Sequence, residues 1–262
     1  MDKGSFAVVT GSGTGIGKAI ARELAVRKYN LILHSLPGEG LTDLCRVLEN
    51  EQKIIVHSFE SDLTTEKGPE EFFEFAKSKG CAVSMLVNNA GIGYEGPIEE
   101  YSPRDIDKMI LLNIRALTHL THFFMPELKA QKKSYVLFMS SFGSYLPTAY
   151  RSIYLATKTY IYYFARSLES ELKGTTVRTC VIVPSAVRTN INTLDRIRRG
   201  GWFAQSSALM PEEVAINGIK KMFRGKKVII PGFLTNLFFA AGMFIPTGIM
   251  MMITRKIFRK YK

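Results

Sequence analysis

A chain of 262 residues is ample for one large hydrophobic core. Its net charge of +12 would suit a nucleic-acid binder, but the excess positive charge brackets an apolar tail instead of lining an aromatic-interleaved groove, which argues against that class. Cys45, Cys81 and Cys180 lack metal-ligand spacing, as do the four histidines, so no metal site is expected, and the thiols suit a reducing intracellular setting.

From the N-terminus, Met1-Asp2-Lys3 leads straight into an apolar strand, Phe6 to Thr10, and no cleavable leader is expected. Next comes a glycine-rich turn, Gly11-Ser12-Gly13-Thr14-Gly15-Ile16-Gly17. Lys18 to Lys28 then has helical spacing, with Ile20, Leu24 and Ala25 on one face. Glycines in a strand-to-helix turn let the backbone approach a pyrophosphate, which the free N–H groups and positive dipole end of the helix favour. An ordinary strand-to-helix turn is the plainer alternative.

Further apolar runs recur at Leu31–His34, Ile54–Ser58, Met85–Val87, Val136–Ser140, Thr179–Val183 and Val228–Ile230. Between them lie helical stretches: Gly40–Asn50, Pro69–Lys79, Pro103–Lys129, Ile153–Lys173 and Pro211–Phe223. Strand alternating with helix predicts a single α/β domain, a parallel sheet with helices on both faces. Such sheets bind ligands beyond the carboxyl ends of their strands. The glycine turn, Asn88-Asn89-Ala90-Gly91, Ser141 and Pro184 all follow strands and should gather on that edge.

Tyr154 and Lys158 are four apart and share a helix face. A phenol can pass a proton, and an ammonium beside it favours the phenolate. Ser141, thirteen residues before Tyr154, offers a hydroxyl for a carbonyl oxygen. By itself the pair also reads as an ordinary surface-helix pair. Ser140 competes with Ser141, since strand neighbours face opposite ways.

In chain order these motifs resemble the short-chain dehydrogenase/reductase family from residue 5 to about residue 231. Thr10-Gly11-Ser12-Gly13-Thr14-Gly15-Ile16-Gly17 is similar to its glycine signature, Asn88-Asn89-Ala90-Gly91 to its Asn-Asn-Ala-Gly motif, and Tyr154 with Lys158 to its Tyr-x-x-x-Lys pair. The resemblance implies a Rossmann-type, doubly wound parallel sheet of about seven strands. It also implies hydride transfer between a nicotinamide and a carbonyl–alcohol pair. Tyr154 would be the general acid or base, Lys158 would favour its phenolate and hold the nicotinamide ribose, and Ser141 would hold the substrate oxygen. Asn113 would position water in a proton relay; the bland reading of Asn113 is a helix kink with a satisfied amide. Cofactor contacts are expected at Gly11, Ser12, Gly13, Thr14, Gly15, Ile16 and Gly17. Further contacts are expected at Ser35, Asp62, Leu63, Asn89, Ala90, Gly91, Pro184, Val187 and Thr189, together with Tyr154 and Lys158. A homodimer or homotetramer through Pro103–Lys129 and Ile153–Lys173 is also implied.

Two positions depart from the family pattern. Ser185 stands where the family has glycine after Pro184. The second strand ends Leu33-His34-Ser35-Leu36-Pro37, with neither the acid expected to favour NAD nor an arginine for NADP. The missing acid tilts the expectation toward NADP(H) over NAD(H).

Residues 1–232 should form the catalytic domain, with a substrate-side lid at about 190–210, where Arg196, Arg198 and Arg199 precede a Gly200-Gly201 hinge and the aromatics Trp202 and Phe203. Tyr145, Leu146 and Tyr150 are candidate pocket residues. Residues 233–262 form an extension the family motifs do not explain. No charge occurs from Val228 to Thr254, no acid follows Glu213, and ten Lys or Arg lie from Lys220 onward. Three readings compete: a membrane-spanning helix, an extension packed on the substrate cleft or a sister subunit, and short helices lying on an anionic membrane surface. Each of the last two makes a hydrophobic ketone or its alcohol, a long-chain 3-keto lipid or a sterol, the expected substrate. The expected location is cytoplasmic, with peripheral membrane contact possible; the alternative functions are a small-molecule carbonyl reductase with no membrane role and a non-catalytic nucleotide-binding regulator on the same fold.

Overall fold

A computed structural model describes residues 4–145, 147–199 and 201–242, and residues 248, 249, 251, 252 and 255. The expectations placed on Leu146, Gly200 and most of the tail beyond 242, and on the side chains of Arg196, Arg199 and Phe203, lie outside what is described.

Seven strands form one all-parallel sheet: β1 (Phe6–Thr10), β2 (Asn30–Ser35), β3 (Val56–Glu60), β4 (Val83–Asn88), β5 (Ser134–Met139), β6 (Val177–Ile182) and β7 (Val228–Ile229). Their order is β3-β2-β1-β4-β5-β6-β7, so the winding direction reverses between β1 and β4. The reversal opens a crevice at the carboxyl ends of those two strands, the usual ligand position in open α/β sheets.

Strand residues alternate between two apolar layers, as a period of two requires. Ala7, Val9, Leu31, Leu33, Met85, Val87, Leu137 and Ile182 face α1 (Gly15–Val26) and α2 (Leu41–Gln52). Phe6, Val8, Ile32, Leu86, Val136, Phe138 and Val181 face the other way, toward Phe72 of α3 (Gly68–Ser78) and the helices that follow β4 and β5. Burial on both faces explains why the strands read as unbroken apolar runs.

The long helix expected over Pro103–Lys129 is not uniform. α4 (Pro103–Ile110) passes into a π-helical turn, Leu111–Ala116, before α5 (Leu117–Ala130). α6 (Ser152–Glu171) follows β5. The lid segment folds as α7 (Ile191–Arg199) and α8 (Gly201–Ser206), then α9 (Pro211–Phe223) leads to β7, and α10 (Phe233–Gly242) starts the extension. β3 begins two residues later than the apolar run suggested. Lys53 takes a left-handed φ of 55° at the end of α2, Ile54 packs only partly buried against the core and Ile55 is exposed, so Val56 is the first buried residue of the run.

Candidate active site

The glycine turn is held by packing that leaves no room for side chains. A Cβ at Gly17 would overlap the Gly11 carbonyl oxygen, and one at Gly11 would stand 2.9 Å from the Ala90 Cα. Gly11 also needs its φ of +63°, which glycine adopts without strain. Thr14 caps α1 without a side-chain hydrogen bond, so its hydroxyl does not occupy the helix's leading N–H groups. An N-terminus of this kind, reached through bare backbone, fits a dinucleotide pyrophosphate.

Asn89 and Thr10 weld the turn to the end of β4. The Asn89 side-chain amide donates to the carbonyls of Thr10 and Gly11, each at 3.0 Å. The Thr10 hydroxyl accepts from the backbone N–H groups of Asn89 and Ala90, each at 3.0 Å, and donates to the Val87 carbonyl. Thr10 was not singled out from the sequence, although it opens the glycine motif. Thr189 closes the other side: a Cβ at Gly15 would lie 3.0 Å from its methyl group.

The loop after β6 is tied down at several points. The Val187–Leu209 bridge, the Arg188 N–H to the Leu209 carbonyl and the Ser185 hydroxyl to the Ser207 carbonyl (2.6 Å) pin both ends of the α7–α8 lid. Pro184 accepts from the Phe142 N–H at 2.8 Å, joining this loop to Ser141. Ser185 does not adopt positive φ, so serine in place of glycine carries no backbone strain, and its hydroxyl serves the lid. Trp202, placed in the expected lid, is 69% exposed.

Lys158 is buried, and its ammonium donates to the Met139 carbonyl at 3.0 Å. Burial pushes its pKa below the usual lysine range, while Tyr154 opposes that shift. The ammonium stands 5.8 Å from the Tyr154 ring centroid. Gly91 faces both Lys158 Nζ and Asn113 Oδ1, each 3.1 Å from where its Cβ would be. Tyr154 itself is half-buried, its ring against Gly93.

Asn113 sits in the π-helical turn, fully buried. Its amide oxygen accepts from the Ile92 N–H at 3.0 Å, and its amide nitrogen donates to the Ile92 carbonyl at 2.8 Å and to Thr157 Oγ1 at 2.9 Å. These three bonds hold the side chain between Ile92 and Thr157. Thr157, missed from the sequence, in turn donates to the Tyr154 carbonyl at 2.7 Å.

Burial separates the two serines. Ser140 is 3% exposed and donates to the Lys158 carbonyl at 2.8 Å, whereas Ser141 is half-buried. Ser141 Oγ accepts a long bond from the Gly143 N–H at 3.4 Å.

Other expected cofactor contacts look different at close range. Ser35 is enclosed and donates to the Leu36 carbonyl at 3.0 Å; Ser12 is likewise buried, donating to the His34 carbonyl. The Asp62 carboxylate caps the Thr64 N–H at 2.8 Å, and the Leu63 side chain is in the core beside Ile32 and Phe72. Glu39, unremarked in the sequence, overhangs the glycine turn: a Cβ at Gly13 would meet its Cβ at 2.6 Å and its Oε2 at 2.8 Å. Burial raises the Glu39 pKa, and Glu60 adds to the shift while a backbone hydrogen bond at Leu36 opposes it.

The family described as "short chain dehydrogenase" matches residues 5–199. A very-long-chain 3-oxoacyl-CoA reductase of Kluyveromyces lactis is 32% identical over 223 residues, covering 81% of this chain and 61% of that protein. The human protein of the same name is 30% identical, over 72% of this chain and 61% of its own length. The chain thus spans about three-fifths of the length of these curated relatives. Among solved structures, the alcohol dehydrogenase from Thermococcus sibiricus complexed with 5-hydroxy-NADP superimposes with a TM-score of 0.73 at 26% identity, covering 86% of this chain and 95% of that one. The glycine turn, the Asn88–Gly91 segment and the Tyr154–Lys158 pair meet at one sheet edge because this chain belongs to the short-chain dehydrogenase family of oxidoreductases.

Proposed function

We propose that this chain is an NADP(H)-linked reductase of a hydrophobic 3-oxoacyl thioester or similar keto lipid. The observation that carries the reading is the buried Lys158 ammonium 5.8 Å from the Tyr154 ring, at the same sheet edge as the glycine turn. A bound nicotinamide would supply hydride to the carbonyl carbon. Tyr154 then gives its proton to the developing alkoxide, and takes one back in the oxidising direction. Lys158 holds positive charge beside the phenol, and the Ser141 hydroxyl steadies the substrate oxygen. Gly11, Gly13, Gly15 and Gly17 would receive the pyrophosphate, with Ala90, Gly91, Pro184, Val187 and Thr189 walling the rest of the cleft. Any relay water is held by backbone in the π-helical turn, since the Asn113 amide is already committed to Ile92 and Thr157.

The names of the curated relatives support the substrate class, as does the exposed apolar surface of the extension. Phe233, Leu237 and Phe238 of α10 and Ile249, Met251 and Met252 beyond it are all exposed. Phe239 anchors α10 by an edge contact with Tyr145, ring centroids 4.5 Å apart. Among the described residues, no helix is long and apolar enough to cross a membrane. We read the extension as a peripheral membrane contact, its apolar side in the lipid and its cations on anionic headgroups. NADP(H) is preferred because β2 ends in Ser35 and Leu36, with no acid at that position to repel a 2′-phosphate. α6 leaves Tyr163 63% exposed, a surface that suits a second copy in a homodimer or homotetramer.

The test is NADPH and NADH oxidation over 3-oxoacyl-CoA substrates of graded chain length, beside small polar ketones. Full-length protein is compared with a chain ending at Gly232. Rising kcat/KM with chain length, blunted by the truncation, supports the proposal. Preference for small polar ketones sinks it. Flotation with anionic liposomes at low salt tests the membrane contact, and no binding refutes it.

A further inference from the structure

The Tyr154 ring has a second cation beside it. The Arg151 guanidinium carbon lies 4.7 Å from the ring centroid, nearer than the Lys158 ammonium at 5.8 Å. Arg151, the residue that caps α6, is three residues before Tyr154 and Lys158 is four after, so both cations come beside the phenol ring.

Arg151 is held in place from a different element. Its Nε is 3.2 Å from Glu95 Oε1, and each side chain of this pair is only about one-fifth exposed (20% and 19%). The backbone beside it is also clamped. Tyr150 adopts a φ of 64°, and its carbonyl accepts from the Gly96 N–H at 2.8 Å and from the Tyr101 hydroxyl at 3.4 Å. A bulky residue in the left-handed region persists only where its surroundings impose it. The segment after β4 thus fixes the first turn of α6, and with it the arginine over the ring.

The two cations are not equivalent. Lys158 is fully enclosed, and burial disfavours its charge. A guanidinium keeps its charge at any working pH, and it stacks on aromatic faces. The surrounding charged and titratable groups are Arg151 and Lys158 on α6, and Glu95 and Tyr101 on the segment between β4 and α4. Tyr101 registers both members of the ion pair: burial raises its pKa most, Glu95 adds to that and Arg151 opposes it.

We propose that Arg151 is the permanent cation of the proton-transfer site, stabilising the Tyr154 phenolate, with Glu95 holding it over the ring and tempering its field. Arg151 acts through Tyr154 and is a positioning residue. The proposal rests on the reading of Tyr154 as the acid–base residue. It needs no transfer to or from Arg151: the proton moves between Tyr154 and the substrate oxygen, and the arginine charge lowers the cost of the phenolate that remains.

The test is a titration of tyrosinate absorbance on full-length protein without ligands. Each variant is paired with its own Tyr154→Phe partner, so that subtraction isolates the Tyr154 phenol. Arg151→Gln should move that titration up by about one pH unit, an ordinary effect for a charge at this range. Arg151→Lys should restore at least half of the shift, and Glu95→Gln should move it down. The phenolate-dependent limb of kcat/KM for oxidation of a long-chain 3-hydroxyacyl-CoA should move in parallel. An unmoved titration in Arg151→Gln, with kcat/KM lower by one factor at every pH, would mean a structural clamp and overturn the proposal. If Arg151→Gln does not fold, an unmoved titration in Glu95→Gln overturns it equally. Full turnover in Tyr154→Phe would instead remove the acid–base reading, while the absorbance titration would still report whether Arg151 acts on the phenol.

Discussion

The Ser140 hydroxyl donates to the Lys158 carbonyl across 2.8 Å, which locks the end of β5 to the middle of α6 directly behind Tyr154. Ser140 and Ser141 are therefore expected to fail differently. Ser140→Ala removes a buried hydrogen bond and should cost about 1–2 kcal/mol of stability, visible as a lower Tm. Ser141→Ala should hold its Tm and lose about 10²–10³ in kcat, as removal of an oxyanion-type donor does. Thermal unfolding beside steady-state rates separates the two, and a rate loss confined to Ser140→Ala would reverse the assignment.

Lys158 should be a liability to stability that activity requires. Its folded-state pKa is lowered by burial, so the unfolded chain binds its proton more tightly. Below the folded pKa both states are protonated and the full penalty stands. As pH rises from there toward the unfolded value of about 10.4, the penalty is relieved. Lys158→Met is thus expected to be as stable as the parent or more so at neutral pH, and nearly inactive. The stability gap should close at alkaline pH. Urea unfolding at several pH values checks this; a variant less stable at pH 7 than at pH 10, relative to the parent, contradicts it.

Asn113 and Thr157 tie the π-helical turn to α6 through one 2.9 Å hydrogen bond. Asn113→Ala also strands the backbone N–H and carbonyl of Ile92, and should cost about 2 kcal/mol. Thr157→Val should cost about 1 kcal/mol, and a double-mutant cycle should give a coupling on the order of 1 kcal/mol. Additive losses would show that the two helices are joined by something else.

Much of this site was legible in the sequence because its motifs are local. The family resemblance pointed to Ser141 over Ser140, and the parallel sheet followed from seven apolar runs alternating with helices. What stayed hidden depends on contacts between distant loops. Arg151 reads as a helix-entry residue until Glu95 is folded against it, and Glu39 reads as loop until Gly13 lies beneath it. The π-helical turn was invisible because one wider turn barely disturbs apolar periodicity across α4 and α5. Trp202 was expected in the lid because an aromatic after glycines suits one; it is exposed there, and which face a short helix buries is set by its partners. Asp62 was expected from its family position and Ser35 from the end of β2; that the Asp62 carboxylate caps the Thr64 N–H and the Ser35 hydroxyl donates to the Leu36 carbonyl is something spacing does not reveal.

Glu39 should weaken binding of both nicotinamide dinucleotides. Its carboxylate overhangs Gly13, one of the glycines proposed to receive the pyrophosphate that NADH and NADPH share. Two partly screened like charges repel by on the order of 1 kcal/mol, about fivefold in affinity. Glu39→Gln should therefore improve kcat/KM about fivefold for NADPH and NADH alike. Because burial raises the Glu39 pKa, acidification should neutralise it early. The advantage of Glu39→Gln over the parent should then shrink as pH falls. A gain confined to NADPH would place the 2′-phosphate, not the pyrophosphate, beside Glu39.

The Tyr145–Phe239 contact would make the extension part of the wall of the proposed substrate cleft. Tyr145 lies between Ser141 and Tyr154 in the chain, its ring 4.5 Å from both Tyr162 and Phe239. The aromatic contact between α10 and Tyr145 is worth about 0.5–1.5 kcal/mol beyond its buried area. Phe239→Ala should loosen α10 without unfolding the sheet, so Tm should fall little. A bound acyl chain losing one or two methylene contacts gives up about 0.8 kcal/mol for each. KM for long-chain substrates should then rise about tenfold, while short ones, which do not reach α10, keep theirs. Graded-length kinetics on Phe239→Ala distinguish this from a tail that only docks on lipid, for which KM would be unchanged at every length and liposome flotation alone would suffer.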